Sequence, residues 1–303
     1  MRWHKRGDTF AGYAFIAPWL AGFVVFTLGP MVVSFGASFS SWTMLSPPTW
    51  VGAENYQRMV SDDPLFTASL LNTAYYAAVS VPLGTVLALL LALLLHRRLP
   101  GMGMFRTVFF LPSITNLVAV SILWIWIFNP EYGLLNGALR LVGLGAPLWL
   151  QSETWAKPAL ILMSLWSVGG SMVIFLAALQ GVPPELYEAA ALDGAGPMHR
   201  FFAITIPMIS PAIFFSVVVG LIGGFQVFTQ AFVMTGTAQP GTEGGPNNAT
   251  LFVVLYLYKK AFQEFKIGYA SALAWVVFFL ILVFTQLQRR FARKWVYYES
   301  GEQ

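Results

Sequence analysis

The stretch PPELYEAAALDGAGPMHRFFAITIP, residues 183–207, separates two of the most apolar parts of this chain. It contains two glutamates, an aspartate, a histidine and an arginine, although 57% of the 303 residues are hydrophobic and only 10% are charged. An ordinary soluble domain has about 25% charged residues. The composition therefore predicts a membrane protein in which residues 183–207 form a polar connection outside the bilayer.

Six apolar runs are long enough to cross a membrane, since a bilayer core about 30 Å thick needs roughly 20 apolar residues per helix. They lie near Phe10–Ser34, Leu70–Leu95, Thr107–Phe128, Pro158–Leu179, Phe202–Val233 and Ile267–Gln288. The shorter run LFVVLYLYKKAF, from Leu251, is interpreted as an amphipathic surface helix because two lysines end its apolar part. We expect an all-α polytopic membrane protein with six transmembrane helices.

The basic residues predict the orientation of these spans, because Lys and Arg are enriched on the cytoplasmic side. With the N-terminus inside, six of the 17 basic residues lie outside and the others lie inside, namely Arg2, Lys5, Arg6, Arg97, Arg98, Arg106, Arg200, Arg289, Arg290, Arg293 and Lys294. We expect a cytoplasmic tail at 1–9, a membrane domain at 10–288 with residues 183–207 as a cytoplasmic loop, and a cytoplasmic tail at 289–303. The first run is too long for a signal peptide, so a retained span is expected.

Local signals within residues 183–207 predict a short helix, a sharp turn and a second helix. Pro184 suits the first position of a helix, where its missing N–H costs nothing. Gly194 suits the left-handed position that ends the first helix, and Pro197 suits the start of the next. The first turns of the first helix carry two carboxylates, Glu185 and Glu188, which the positive end of the helix dipole favours. Its small apolar face is formed by Leu186, Ala189 and Ala190. An ordinary solvated connector is the alternative that this local pattern leaves open.

The spacing within the loop resembles that of a known family. EAAALDG at 188–194, nine further residues and ITIP at 204–207 resemble the EAA loop of permease subunits of binding-protein-dependent ABC importers. The family pattern has Leu where this chain has Ile206. The resemblance implies that the loop is a coupling helix that docks in a cleft of the ATPase subunit, with contact positions at Glu185, Glu188, Ala189, Ala190, Gly194 and Pro207.

Other stretches resemble the sugar permeases of the carbohydrate-uptake group, which includes maltose and glycerol-3-phosphate permeases. They are APWLAGFVVFTLGP from Ala17, FLPSITNLVAVSILWIWIFNPEYGLLN from Phe110, GGPNNAT from Gly244, GYASALAW from Gly268 and RRFARKWVYYE from Arg289. The resemblance implies a type I ABC importer transmembrane fold in a bacterial or archaeal cytoplasmic membrane. It also implies a second homologous permease, two ATPase subunits and an extracytoplasmic sugar-binding protein as partners. An insert at 237–243 departs from the family pattern.

Polar residues in the fourth and fifth spans are the candidates for a substrate pathway. Gln226 and Gln230 are four residues apart and share a predicted helix face with Gly223. Hydrogen bonding between membrane helices explains such amides and hydroxyls equally well. Resemblance to the maltose permease favours the pathway and implies positions at Ser164, Ser171, Phe225, Gln226 and Gln230, with Ser167 on the same predicted face as the two other serines. Gly169, Gly170, Gly220, Gly223 and Gly224 are interpreted as close-packing positions, hinges or both.

Several function classes are disfavoured by what the sequence lacks. No G-x-x-x-x-G-K-[ST] occurs, so we expect no ATPase activity on this chain, and ATP and magnesium belong to the partner ATPase. The three histidines lack metal-ligand spacing, and no cofactor or metal site is expected. The basic residues form small clusters and no continuous face, so a nucleic-acid partner is not expected.

An ion-coupled secondary sugar transporter remains the principal alternative, because it would also have many apolar spans. Such carriers usually keep ionisable residues inside the membrane as ion or proton relays, and the six predicted spans contain no Asp, Glu, Lys or Arg in their interior. An intramembrane enzyme would need a nucleophile or metal cluster at membrane depth, and a channel would have no use for the coupling loop. The predicted substrate is a neutral or weakly charged carbohydrate, with glycerol-3-phosphate as the alternative.

Overall fold

The computed structural model describes residues 4–97, 99–236, 244–293 and 295–297, with side-chain burial from residue 11 onward. The predicted insert at 237–243 and the end of the predicted C-terminal tail lie outside the described residues. Helices account for most of the described chain, as the composition predicts. The chain divides into two compact units, Met1–Asp63 with Leu257–Val276 and Pro64–Tyr256 with Val277–Gln303.

The first unit begins with a long helical stretch and a small hairpin. Its elements are α1 (His4–Phe23), a π-helical segment (Val24–Leu28), α2 (Gly29–Ser38), β1 (Ser40–Thr43), β2 (Ser46–Trp50) and α3 (Glu54–Ser61). The hairpin was not predicted from the sequence. Its register is irregular between Ser41 and Thr43, opposite a strand whose two prolines cannot donate to a ladder. The buried Asn55 side chain donates to the carbonyls of Ser38 and Ser40 and holds the hairpin against α2.

An ion-pair cluster lies in the loop part of the same unit. Lys260 Nζ is 2.8 Å from Glu264 Oε1, and Lys266 Nζ is 2.7 Å from Glu264 Oε2. Burial raises the pKa of Glu264, but hydrogen bonds from the two lysines outweigh it and leave the pKa below its ordinary value. The carboxylate therefore stays ionised between two cations at neutral pH.

The second unit contains most of the helices. They are α4 (Pro64–Leu95), α5 (Met102–Ile114), α6 (Leu117–Ile127), α7 (Leu134–Leu141), α8 (Glu153–Leu165), α9 (Gly169–Gln180), α10 (Pro184–Leu192), α11 (Pro197–Arg200), a π-helical segment (Phe201–Thr205), α12 (Ile206–Met208), α13 (Ser210–Phe225), α14 (Thr229–Gly236) and a 3-10 turn (Pro246–Asn248). Two further helices, α15 (Val253–Tyr258) and α16 (Ile267–Ala292), each contain residues of both units. The π-helical segment between them (Lys259–Gln263) belongs to the first unit.

Three of the predicted spans are continuous helical stretches and three are bent pairs. Ala11–Ser38, α4 and α16 are each long and apolar enough to cross a membrane. The bent pairs are α5 with α6 at 100°, α8 with α9 at 45°, and Pro197–Met208 with α13 at 65°. Counting each pair as one span gives the predicted six, but the third to fifth spans are not single straight helices.

The sharpest bend has a local cause in the side chain of Asn116. Thr115 and Asn116 have extended backbone, which ends α5. Asn116 Oδ1 then accepts hydrogen bonds from the amides of Val118 and Ala119 and caps the start of α6. A polar cap inside an apolar run therefore divides the third span.

Two sequence interpretations are wrong. The fifth run is not one helix, because α13 ends at Phe225 and α14 begins at Thr229. The run from Leu251 is not a surface helix, because Leu251, Phe252, Val253 and Leu255 are all fully buried. Its backbone is held by α4, where Asn72 donates to the Leu251 carbonyl and Thr73 Oγ1 accepts the Val253 amide.

Small residues allow the helices of the second unit to approach closely. A Cβ added to Gly169 would overlap the Phe109 carbonyl oxygen and lie 2.8 Å from Phe110 Cα. Added Cβ atoms at Gly220 and Gly224 would lie 3.0 Å from Val81 Cγ1 and Ala77 Cβ. The close-packing interpretation is thus confirmed for these three glycines. It is wrong for Gly170 and Gly223, whose added Cβ atoms would meet nothing within 4 Å.

Candidate functional site

A cavity of about 260 Å³ lies among five helices of the second unit. From α4 it is lined by Tyr76, Ser80, Val81, Gly84 and Thr85, from α8, α9 and their connection by Ser164, Ser167, Val168 and Ser171, and from α13 and α14 by Ser216, Gly220, Gly223, Gly224 and Gln230. The small residues leave the space, and the hydroxyl and amide groups make its wall polar.

The lining offers hydrogen-bonding groups without charge. Ser216 Oγ donates to Ser171 Oγ at 3.1 Å, and Gln230 Nε2 lies 3.5 Å from the Tyr76 hydroxyl. Ser164 Oγ donates to the Ile161 carbonyl at 2.6 Å and still has acceptor capacity. Within the described chain, the lining includes no Asp, Glu, Lys, Arg or His. The cavity can therefore hold an uncharged, hydroxyl-rich molecule, but its described lining supplies no carboxylate, amine, guanidinium or imidazole for ion pairing.

Four of the six residues predicted for the pathway meet in this cavity. Ser164, Ser167, Ser171 and Gln230 line it, and the three serines do so across the 45° bend between α8 and α9.

Phe225 and Gln226 do not line the cavity. Phe225 is buried against Phe284, and Gln226 is exposed at the end of α13. The predicted shared face of Gln226 and Gln230 is wrong because the chain leaves the helix between them. Val227 is only 3% exposed, and this turn buries it together with Phe225.

The polar residues that line the cavity from α4, and one more from α13, were not predicted from the sequence. Tyr76, Ser80 and Thr85 line the cavity from α4, and Ser216 does so from α13. Tyr76 and Ser80 are four residues apart, and Gly84 follows after four more, so the three share one helix face. This small and polar stripe within an apolar helix was the signal that could have identified them.

The loop at 183–207 has the predicted local structure. Pro184 is the first residue of α10, Gly194 has a φ of +77°, and Pro197 begins α11. The Ala195 amide donates to the Ala190 carbonyl across the turn at 2.9 Å. Pro207 lies in α12, next to the 65° bend before α13.

The first helix of this loop presents most of its surface outward. Glu185, Glu188 and Ala189 are exposed, and Ala190 is half-buried. Glu188 does not cap the helix start, since the helix begins at Pro184 and Glu188 lies beyond its first turn. Two apolar side chains of the loop that were not predicted as contacts are exposed, Leu192 at 90% and Met198 at 70%.

Bent apolar helices around an uncharged polar cavity define the class of the protein as a membrane transport subunit. The family model described as binding-protein-dependent transport system inner membrane component matches residues 80–297, and the chain belongs to this family. The predicted family is thereby confirmed, and the protein is an inner membrane component of an ABC importer.

Similar proteins agree with this assignment. The probable ABC transporter permease protein YesP of Bacillus subtilis (strain 168) is 41% identical over 98% of this chain and 95% of that protein. The lactose transport system permease protein LacF of Rhizobium radiobacter is 36% identical over 96% of each chain. The fold matches a chain of a bacterial ABC transporter involved in the import of the acidic polysaccharide alginate, with a TM-score of 0.82, 24% identity and coverage of 96% and 98%. This match confirms the predicted type I importer fold.

Proposed function

We propose that this chain forms half of the translocation pathway for a carbohydrate, which an extracytoplasmic binding protein delivers. A separate ATPase subunit drives transport through residues 183–207. The cavity among α4, α8, α9, α13 and α14 carries the proposal, because its wall combines serine and threonine hydroxyls, a tyrosine and an amide without charge. Sugars are bound by hydrogen bonds to such groups and by contact with aromatic faces.

A neutral or weakly charged carbohydrate fits the cavity better than glycerol-3-phosphate does. A phosphate group needs cationic or multiple amide donors, and the lining within the described chain has neither lysine nor arginine. The relative LacF, named for lactose transport, agrees with a carbohydrate. A phosphorylated substrate would require the second permease subunit to supply the cations.

Coupling through residues 183–207 rests on the exposed surface of α10. No residue of α10 is buried, and exposed Leu192 lies at its end beside the carboxylates. Met198, in α11 across the turn, is exposed as well. Exposed apolar side chains grouped in this way suit a partner protein better than water. The small Ala189 and Ala190 permit close approach, and the left-handed Gly194 fixes the turn. The proposed topology places this loop and the tails at 1–9 and 289–303 in the cytoplasm.

A second permease subunit is proposed from the bend between α5 and α6. Non-helical backbone at membrane depth is tolerated only where protein covers it or water lines it. Thr115 and Asn116 are exposed at this bend, and Leu111 and Ile114 beside them are 56% and 64% exposed. The surrounding apolar side chains favour protein over water as the cover.

The function is tested with the complete complex in proteoliposomes, by measuring ATP hydrolysis and uptake with the binding protein present. We expect a neutral saccharide to stimulate hydrolysis and to be taken up. Stimulation by glycerol-3-phosphate alone would reject the carbohydrate. Uptake by this chain alone, driven by a proton or sodium gradient without ATP, would establish the secondary transporter instead.

The coupling surface is tested by crosslinking, since the chain has no cysteine. Ala190→Cys is expected to crosslink to the ATPase subunit, and Ala138→Cys, on the exposed face of α7, is the matched control that is expected not to. Crosslinking of the control alone would contradict the assignment of residues 183–207.

A further inference from the structure

One hydrogen bond connects α10 to the fifth span. The Tyr187 hydroxyl lies 2.9 Å from Thr205 Oγ1, across 18 residues of sequence. Thr205 is only 5% exposed and ends the π-helical segment Phe201–Thr205. A hydrogen bond with a buried partner is shielded from competing water, so it holds its geometry better than an exposed contact does.

Tyr187 is also the attachment of α10 to the helical core. No residue of α10 is buried. Among the described residues of that helix, Tyr187 alone packs against the hydrophobic cluster at the ends of α4 and α9, which includes Leu95, Leu179 and Val182. The ring therefore fixes one side of α10 to the core, while the hydroxyl reaches the fifth span.

The segment that receives this hydrogen bond is a weak point in the helix. The Ile206 amide donates to the Phe201 carbonyl, five residues back, which is the π-helical pattern. Pro207 has no amide hydrogen to donate, and the helix axis bends by 65° before α13. π-helical turns frequently mark functional positions. A displacement of α10 would therefore change the backbone conformation of this segment more readily than that of the regular helices on either side.

We propose that the Tyr187–Thr205 hydrogen bond transmits displacement of α10 to the bend of the fifth span, so that both are positioning residues for coupling. The inference rests on the proposed contact between residues 183–207 and the ATPase. Without the hydrogen bond, α10 remains docked, but its movement reaches α13, and with it Ser216 and Gly220 in the cavity wall, less completely.

The test measures substrate transported per ATP hydrolysed by the reconstituted complex with binding protein. Tyr187→Phe and Thr205→Val each remove one partner with little change in shape. We expect each to lower the ratio by about two- to tenfold, the equivalent of one hydrogen bond. The double variant is expected to fall no further, because both changes remove the same contact. Thr205→Ser keeps the hydroxyl and is expected to retain the wild-type ratio.

Tyr56→Phe is the matched control, because its hydroxyl also donates to a hydroxyl, Ser38 Oγ at 2.8 Å, outside the loop. An unchanged ratio in Tyr187→Phe, or additive losses in the double variant, would overturn the link. If the hydrogen bond has only a structural role, Tyr187→Phe and Thr205→Val would lower thermal stability and complex yield as much as they lower the transport ratio. Thr205→Ser, which keeps the hydroxyl but loses a methyl group, separates the effect of hydrogen bonding from that of packing. Failure of Ala190→Cys to crosslink in the wild-type background would reject the docking surface itself, independently of these ratios.

Discussion

The loop at 183–207 and the cavity among α4, α8, α9, α13 and α14 differ in the sequence separation of the residues that determine their structure. Each turn of the loop has its cause within a few residues, such as Pro184 at a helix start and Gly194 at φ +77°. The cavity wall joins residues as distant as Tyr76 and Gln230. Local chemistry therefore determines the shape of the loop, whereas packing between distant segments determines the cavity.

The largest expected effect is on the packing that encloses the cavity. Gly169→Ala would place a methyl group against the Phe109 carbonyl, where α9 meets α5. Backbone cannot move aside as a side chain can, so we expect destabilisation of about 3 kcal/mol or more. Thermal unfolding of the purified complex measures it.

Gly170→Ala is the matched control for this change, because its added Cβ would meet nothing within 4 Å. It is expected to be neutral or slightly stabilising, since alanine favours a helix. Equal effects of the two substitutions would show that α5 and α9 are not packed as described.

A second prediction fills the cavity without disturbing the packing. Gly223 lines the cavity and has free space at its Cβ, so Gly223→Leu should assemble normally and reduce uptake to near background. Uptake of labelled substrate into proteoliposomes, together with complex yield, tests this. Gly137→Leu, on exposed α7 with equal free space, should leave uptake intact. Normal uptake by Gly223→Leu would place the substrate route elsewhere.

A smaller effect is expected in the loop. Gly194→Ala forces a β-carbon into the left-handed region, which costs about 1 kcal/mol, although no atom lies within 4 Å of the added Cβ. We expect transport to fall several-fold because α10 loses its orientation, while the cavity is unchanged. The comparison is Gly196→Ala, where φ is −71°. If both reduce transport equally, backbone conformation is not the reason for glycine at 194.

The smallest expected effect concerns one hydrogen bond in the cavity wall. Ser216→Ala removes the donor to Ser171 Oγ and should cost about 1 kcal/mol or less in stability. A change in apparent KM for the substrate, with maximal uptake nearly constant, would show that this pair contacts the substrate. Ser121→Ala is the control, because Ser121 Oγ donates to the Leu117 carbonyl of its own helix. An unchanged KM would assign Ser216 to packing alone.

Sequence patterns predicted the helical class, the six apolar stretches and the local structure of the loop, because composition, length and turn residues act over short distances. They did not predict the interruption between α13 and α14. Neither proline nor glycine occurs at 226–228, and the chain turns there so that Phe225 and Val227 are both buried. The nearest turn signal is the Gly223–Gly224 pair inside the end of α13, and the burial of Phe225 and Val227 shows that packing against other parts of the chain accompanies the break.

The cavity shows the same division. The sequence by itself determined that Ser164, Ser167, Ser171 and Gln230 are polar residues in apolar stretches. Only the tertiary structure brought them together with Tyr76, Ser80 and Ser216, and excluded Gln226. The physical reason is that a hydroxyl or amide in an apolar helix needs a hydrogen-bond partner or a polar space. Which of these it meets depends on the neighbouring helix, and the close contacts at Gly169, Gly220 and Gly224 determine which helices are neighbours.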